Sequence, residues 1–160
     1  KDEYYDEIGT EEDIYFPSDI LNLSSDETFV DAGAYSGDTI SIFLNKTQHK
    51  FNKIHAFEPA NDIYASLKRE IAEYKNSNIL CYNQGLYNIN KKLKFSNNDS
   101  ANSKITSKGN DWINVVSLDS VCKNEGPITF IIHHQDLLYL HTIIFTLGIT
   151  NSGVKICLHV

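Results

Sequence analysis

The stretch Val30–Thr39 has the sequence VDAGAYSGDT and contains the strongest fold signal in the chain. It follows an apolar run, Thr28-Phe29-Val30, and leads into a segment whose apolar residues recur at helical spacing. Gly33 and Gly37 therefore predict a sharp turn from a β-strand into an α-helix. Such a turn leaves backbone N–H groups at the helix start that can bind a polar or negatively charged ligand.

A second signal lies 27 positions after Asp31, where the apolar strand pattern Lys53–Phe57 ends in Glu58-Pro59. An acidic residue at the tip of the neighbouring strand holds the ribose hydroxyls in α/β nucleotide-binding folds, and a carboxylate accepts from both hydroxyls at once. The glycines have the spacing G-x-x-x-G and not the G-x-G-x-x-G of dinucleotide-binding proteins. Together the two strand ends indicate a nucleoside site.

Three segments, FVDAGAYSGDT (29–39), HAFEP (55–59) and VVSLDSV (115–121), resemble the FkbM-type methyltransferases. The resemblance covers roughly residues 13–130, and a weaker similarity continues into the tail. It implies an S-adenosylmethionine-dependent enzyme with a Rossmann-like core that methylates a hydroxyl oxygen of a sugar or natural product. The implied partner is a small-molecule or glycan acceptor, and no catalytic base and no metal site can be assigned.

The expected cofactor-binding residues are Asp31, Gly33, Ala34, Gly37, Asp38, Thr39, Glu58, Gly85 and Leu86. Asp31 is expected either to contact the cofactor or to hold the shape of the glycine turn. Asp38 and Thr39 have two alternative roles, because either side chain is a suitable helix cap and Thr39 is also placed to face the methionine part of the cofactor. Gly85 and Leu86 follow the third strand, where methyltransferases of this architecture hold the adenine. As Glu58 is expected at a strand tip, its loss should weaken cofactor binding with little effect on stability. The alternative for Glu58 is an ordinary strand-end acid that is exposed to water.

The sequence departs from the resemblance after a strand at about residues 127–132. There the family carries the acidic stretch Asp-x-Glu-Gly-Ala-Glu, whereas this chain has His133-His134-Gln135-Asp136. One alignment places His134 and Asp136 over the first two acids. In the other, residues 132–160 match the closing segment of the family, and a strand–helix unit has been lost at about residue 131. The two histidines are expected to be ordinary strand-end residues, which point to opposite faces and cannot share a metal ion.

The predicted fold is α/β and Rossmann-like, with a mostly parallel twisted sheet, helices on both faces and a β-rich insertion at about 91–118. Strands are expected at about 28–32, 53–58, 78–82, 127–132 and 154–160, and helices at about 37–46, from a cap at Asn61, and at 135–147. Asp119 is expected to cap a short helical turn. The strand ending at Asp31 should be central, with the strand ending at Glu58 beside it.

Composition places limits on the function. The 160 residues fit one domain at 26–160, preceded by an acidic leader at 1–25 that is expected to dock on the core. The net charge of −7 argues against a nucleic-acid partner, and the chain has no apolar run that would cross a membrane. Three widely spaced cysteines suggest a reducing, cytoplasmic setting, with Cys81 as a small buried side chain.

Two alternative functions remain open at this stage. One is a non-catalytic nucleoside-binding or scaffold remnant of the same fold, because the acidic segment of the family is absent. The other is an NAD-dependent oxidoreductase. The absence of the dinucleotide-binding pattern G-x-G-x-x-G argues against this alternative.

Overall fold

The computed structural model describes residues 15–17, 19, 21–96, 104–105, 108–134 and 154–158. The strands in this part of the chain are β1 (Thr28–Ala32), β2 (Lys53–Phe57), β3 (Ile79–Tyr82), β4 (Gly85–Leu86), β5 (Lys91–Ser96), β6 (Lys104–Ile105), β7 (Asp111–Val116), β8 (Phe130–His133) and β9 (Lys155–Leu158). The helices are α1 (Asp38–Lys46), α2 (Asn61–Glu73) and α3 (Leu118–Cys122).

The larger sheet, sheet A, has the strand order β3-β2-β1-β8-β9, and all its neighbouring strands are parallel. The chain builds β1, β2 and β3 outward on one side and then returns to place β8 on the other side of β1. The winding order therefore switches between β1 and β8, and ligands of open α/β sheets bind outside the carboxyl ends of the strands at such a point. Asp31 pairs with Ala56 and Ala32 with Phe57, so the predicted central position of β1 next to β2 is confirmed.

One face of sheet A packs against α1 and α2 through aromatic and aliphatic side chains. The rings of Phe29 and Phe43 stack with centroids 4.7 Å apart, and Phe29 and Phe130 stack at 5.2 Å. Leu67 of α2 is fully buried in the same cluster. Since burying each such side chain contributes about 1.5–3 kcal/mol, this face supplies much of the stability of the domain.

The opposite face of sheet A packs against the short helix α3. Val30, Phe57 and Ile131 point to this side, where they contact Leu118 and Cys122. Helices thus cover both faces of the sheet, as the sequence predicted.

A smaller sheet, sheet B, has the order β4-β7-β5-β6 and accounts for the predicted β-rich insertion. β5 is antiparallel to both β7 and β6, whereas β4 pairs with β7 in parallel. The two-residue strand β6 was not predicted. Phe95 and Ile113 on the inner face of sheet B pack with Ala60, at the start of α2.

Three expectations about local structure are wrong. Asn61 is the first residue of α2 and not its cap, which is Ala60, and the Asn61 Oδ1 atom instead accepts a hydrogen bond from Asn83. Helix α3 is capped by Ser117, whose hydroxyl accepts from the Ser120 N–H, so Asp119 lies in the first turn. Cys81 is half-buried and not fully buried.

Several predicted features fall outside the described residues. The helix at 135–147, Asp136 and most of the acidic leader are among them. The described strands β1, β8 and β9 are hydrogen-bonded neighbours, and the loss of a strand–helix unit near residue 131 stays a prediction because residues 135–153 are not described. Among the helices that are described, none has the length and apolar character to span a bilayer.

Candidate functional site

The turn between β1 and α1 is shaped by left-handed backbone conformations and fastened to the end of β2. Gly33 and Gly37 have φ values of 90° and 100°, and Tyr35 has a φ of 47°. The N–H groups of Gly33 and Ala34 both donate to the Phe57 carbonyl at 2.9 Å, and the Gly37 N–H donates to the Ala34 carbonyl at 2.8 Å. These three N–H groups of the turn are therefore engaged inside the protein, whereas the N–H groups predicted to bind a ligand are those at the start of α1.

Glu58 acts as a clamp between this turn and the start of α2. Its Oε2 atom accepts a hydrogen bond from the Tyr35 N–H at 3.2 Å, and its Oε1 atom accepts from the Ala60 N–H at 2.9 Å. The residue is only 6% exposed, which contradicts the alternative of an ordinary strand-end acid exposed to water. The carboxylate is buried because the turn and the start of α2 pack against it, with the N–H groups of Tyr35 and Ala60 donating to its oxygens.

Burial raises the pKa of Glu58 above its ordinary value, and the negative charges of Asp62 and Asp31 raise it further. The two backbone hydrogen bonds oppose this change because they stabilise the ionised form. A carboxylate offers about four lone-pair directions, and the two backbone bonds occupy one on each oxygen. Acceptor capacity for ribose hydroxyls therefore remains.

Asp31 is fully buried and holds the beginning of α1. Its Oδ2 atom accepts a hydrogen bond from the Thr39 hydroxyl. Thr39 thus faces Asp31, and α1 has no side-chain cap at its start. The exposed Asp38 accepts instead from the Ser36 hydroxyl, so neither proposed capping role is correct. Of the two roles expected for Asp31, support of the turn is the one that these contacts favour.

His134 completes the environment of Asp31, and the sequence did not single it out for this role. Its Nε2 atom lies 3.1 Å from the Asp31 Oδ1 atom, at ion-pair distance but without hydrogen-bond alignment. The hydroxyl of Tyr15 lies 3.3 Å from the Nδ1 atom, and the two rings are tilted with centroids 5.0 Å apart. The parallel pairing of β8 with β1 could have suggested this, since the residue after β8 must end beside the residues after β1.

A small cleft opens between the carboxyl edge of sheet A and the inner face of sheet B. Its lining residues are Ala32, Gly33, Pro59, Gly85, Leu86, Phe95, Ile105, Ile113 and His133. The cleft thus brings the predicted residues Gly85 and Leu86 together with Gly33. It encloses about 20 Å³, which is room for about one water molecule, so a nucleoside would require it to widen.

The structure therefore assembles most of the expected residues and leaves one apart. Asp31, Gly33, Ala34 and Glu58 meet at the ends of β1 and β2, whereas Asp38 points to solvent. In the part of the chain that the structure describes, no cluster of three or more histidine, cysteine or acidic side chains is suited to bind a metal ion.

Comparisons with known proteins agree with this architecture at the level of the fold. No family model matches the sequence, and no curated protein matches it. Among solved structures, the methyltransferase FkbM from Methylobacillus flagellatus superposes with a TM-score of 0.66 at 19% identity, over 84% of this chain and 32% of the FkbM chain. An rRNA methylase from Streptococcus thermophilus matches with a TM-score of 0.45 at 15% identity, over 83% of this chain and 58% of the methylase.

This chain spans about a third of the length of the FkbM structure. At 19% identity the likeness concerns the fold alone. The chain thus has a Rossmann-like α/β fold of the kind found in the FkbM methyltransferase.

Proposed function

We propose that this domain binds S-adenosylmethionine at the carboxyl ends of β1 and β2 and transfers its methyl group to a hydroxyl oxygen. The observation that carries the proposal is the position of Glu58. It directly follows β2, the strand next to β1, and lies beside a left-handed glycine turn, one strand from the switch in winding order. That combination is the arrangement by which open α/β sheets hold the ribose of a nucleoside.

The residues present fit the nucleoside part of this cofactor. Glu58 would hold the ribose hydroxyls with the lone pairs that its backbone bonds leave available. Gly85 and Leu86 would lie against the adenine, because they line the cleft next to Gly33. A side chain at position 33 would narrow this edge, as a Cβ atom there would lie 3.4 Å from the Cβ of His134.

The described conformation is a closed form of the site. His134, the residue after β8, lies beside Asp31 and contacts the Tyr15 hydroxyl at this edge of the sheet. Cofactor entry would require the small sheet to move outward from this edge, since the cleft holds only about 20 Å³.

When bound, S-adenosylmethionine supplies an electrophilic methyl group, and the protein needs chiefly to place an acceptor oxygen in line with it. His134 is placed to accept the proton of the acceptor hydroxyl. Its Nε2 atom lies 3.1 Å from the buried carboxylate of Asp31, so the Nδ1 atom on the other side of the ring would be the one to take the proton. The Tyr15 hydroxyl lies 3.3 Å from the Nδ1 atom, and an acceptor hydroxyl would take the position that the Tyr15 hydroxyl occupies here.

A second candidate function, nucleoside binding without methyl transfer, is favoured by one observation. The acidic segment that the family carries after this strand is replaced by His133-His134. The residues that would hold the nucleoside lie upstream of that change, so binding would survive the loss of catalysis.

Isothermal calorimetry with S-adenosylhomocysteine and with NAD, on the same preparation, tests the proposed cofactor. We expect S-adenosylhomocysteine to bind and NAD to give no heat beyond dilution. Binding of NAD alone, or of neither compound, would contradict the proposal. Transfer of a labelled methyl group to a panel of sugar hydroxyls then separates the two candidates, because the non-catalytic one predicts binding without transfer.

A further inference from the structure

The outer face of sheet B carries an exposed tryptophan among lysines and an asparagine. Lys92 pairs with Asn114 and Lys94 with Trp112 across β5 and β7, so these four side chains share one face of the sheet. All four residues are exposed, whereas the alternate residues Phe95, Ile113 and Val115 are buried on the inner face. We refer to Lys92, Lys94, Trp112 and Asn114 as the lysine–tryptophan face.

Trp112 is the most exposed of the large hydrophobic side chains that the structure describes, with 62% of its surface accessible. The Lys94 Nζ atom lies 5.8 Å from the ring centroid, at cation–π distance. This contact holds the indole beside a positive charge while most of its surface stays in water. Exposing the large apolar surface of a tryptophan to water costs free energy. An exposed tryptophan is therefore typical of binding surfaces.

The charge of this region is opposite to that of the whole chain. Residues 85–116 contain five lysines and two aspartates, although the net charge of the chain is −7. The strand β5 alone contributes Lys91, Lys92 and Lys94. Lys92 and Lys94 of the lysine–tryptophan face lie within this lysine-rich region, and such a local excess of positive charge on an acidic protein attracts a negatively charged partner.

We propose that the lysine–tryptophan face binds an acidic saccharide chain. A sugar ring would pack on the indole of Trp112, carboxylates would pair with Lys92 and Lys94, and the amide of Asn114 would hydrogen-bond to hydroxyls. Single-stranded nucleic acid fits less well, because its binding uses several aromatic side chains on which successive bases stack, and this face offers one. The face lies on the side of sheet B away from the cleft, so the inference does not depend on the proposed methyl transfer.

Trp112 is the only tryptophan in the chain, so its fluorescence reports directly on this face. We expect a short oligogalacturonate to change the emission of the wild-type protein in a saturable and salt-dependent way. Uncharged maltose oligomers at the same concentration should change it little. Lys94→Gln should weaken binding by about fivefold, the upper range for one exposed charge pair.

The exposed Lys68 on α2 provides a matched control, since Lys68→Gln removes the same charge away from sheet B. In anisotropy titrations with a labelled oligogalacturonate, Lys68→Gln should bind like the wild type, and Trp112→Ala should bind about tenfold more weakly. Equal losses for Lys94→Gln and Lys68→Gln would overturn the proposal, since they would indicate general charge attraction. Absence of binding, or tighter binding of a single-stranded RNA oligomer, would overturn it as well.

Discussion

At the scale of single residues, Glu58 serves the fold as well as the proposed site. Its two oxygens fasten Tyr35 and Ala60, so that the turn after β1 and the start of α2 are held by one carboxylate. Asp31 has a similar structural role toward Thr39. The two acids that the sequence assigns to the site therefore also hold the structure around them in place through hydrogen bonds.

Glu58→Ala is therefore expected to affect both binding and stability. It should weaken S-adenosylhomocysteine binding by about 1–3 kcal/mol and lower the free energy of unfolding by a similar amount, because the buried Ala60 N–H and the partly buried Tyr35 N–H lose their partner. Calorimetry and urea unfolding measure the two effects. Asp62→Ala, which removes a nearby exposed acid, is the control and should change neither quantity markedly. A Glu58→Ala protein with wild-type affinity would exclude Glu58 from the site.

Glu27 lies at the opposite, amino-terminal edge of sheet A in a network of hydrogen bonds. Its carboxylate accepts from the Lys155 ammonium at 2.6 Å, from the Thr129 hydroxyl and from the Ser24 N–H. Burial on its own would raise the pKa of Glu27, but these hydrogen bonds outweigh it and hold the pKa below its ordinary value of 4.5. An acid with a lowered pKa in the folded state stabilises the fold above its unfolded pKa, and this contribution is lost as pH falls through the folded value.

We therefore expect Glu27→Gln to destabilise the protein at neutral pH by about 1–3 kcal/mol, because the Lys155 ammonium loses a charged hydrogen-bond partner. The difference between variant and wild type should shrink as pH falls below 4.5, where the unfolded carboxyl group becomes protonated. Denaturant unfolding of both proteins at pH 7 and at pH 3.5–4.5 measures this difference in the free energy of unfolding. A difference that grows toward acid pH would show that the network does not stabilise the ionised form.

At the scale of elements, the β1–α1 unit was predictable from the sequence because its signals are local. The apolar run of β1, the two glycines and the helical spacing of Ile40, Phe43 and Leu44 lie within a few residues of one another. The two-residue strand β6 was missed, because it lies in a polar stretch and exists only through its pairing with the end of β5.

The role of His134 was also missed, for a different physical reason. Its partners Asp31 and Tyr15 lie about a hundred or more positions earlier in the chain, and only the placement of β8 next to β1 brings them together. The buried position of Glu58 could not be predicted either. It depends on the left-handed conformation of Tyr35, which turns the Tyr35 N–H toward the carboxylate.

Gly37 tests how strongly the β1–α1 turn depends on its glycine. Its φ of 100° is strained for any other residue, and a Cβ atom would lie 3.3 Å from the Cδ1 atom of the buried Leu67. We expect Gly37→Ala to lower the free energy of unfolding by about 1–3 kcal/mol. Gly126 is the matched control, because its φ is 80° but a Cβ atom there meets nothing within 4 Å.

Gly126→Ala should therefore show the cost of backbone strain alone and be the milder of the two changes in thermal or urea unfolding. Equal losses of stability would mean that the contact with Leu67 contributes nothing and that the tight packing of α2 against the turn is not needed.

At the scale of the whole molecule, the two edges of sheet A have different roles. The amino-terminal edge is closed by the hydrogen bonds among Glu27, Thr129 and Lys155, which join β1, β8 and β9. The carboxyl edge carries the glycine turn, Glu58, His134 and the cleft against sheet B. The amino-terminal edge is thus fastened by charged hydrogen bonds, and the cleft that a ligand would enter lies at the carboxyl edge.

Hydrogen exchange with and without S-adenosylhomocysteine tests this central claim most directly, since it reports on both edges in one measurement. The account predicts that the ligand slows exchange in peptides covering residues 33–37, 58–60 and 83–86. Peptides around Glu27 and Thr129 at the amino-terminal edge should be unchanged. Protection confined to the amino-terminal edge, or no protection at saturating ligand, would contradict the proposal that the carboxyl ends of β1 and β2 form a nucleoside site.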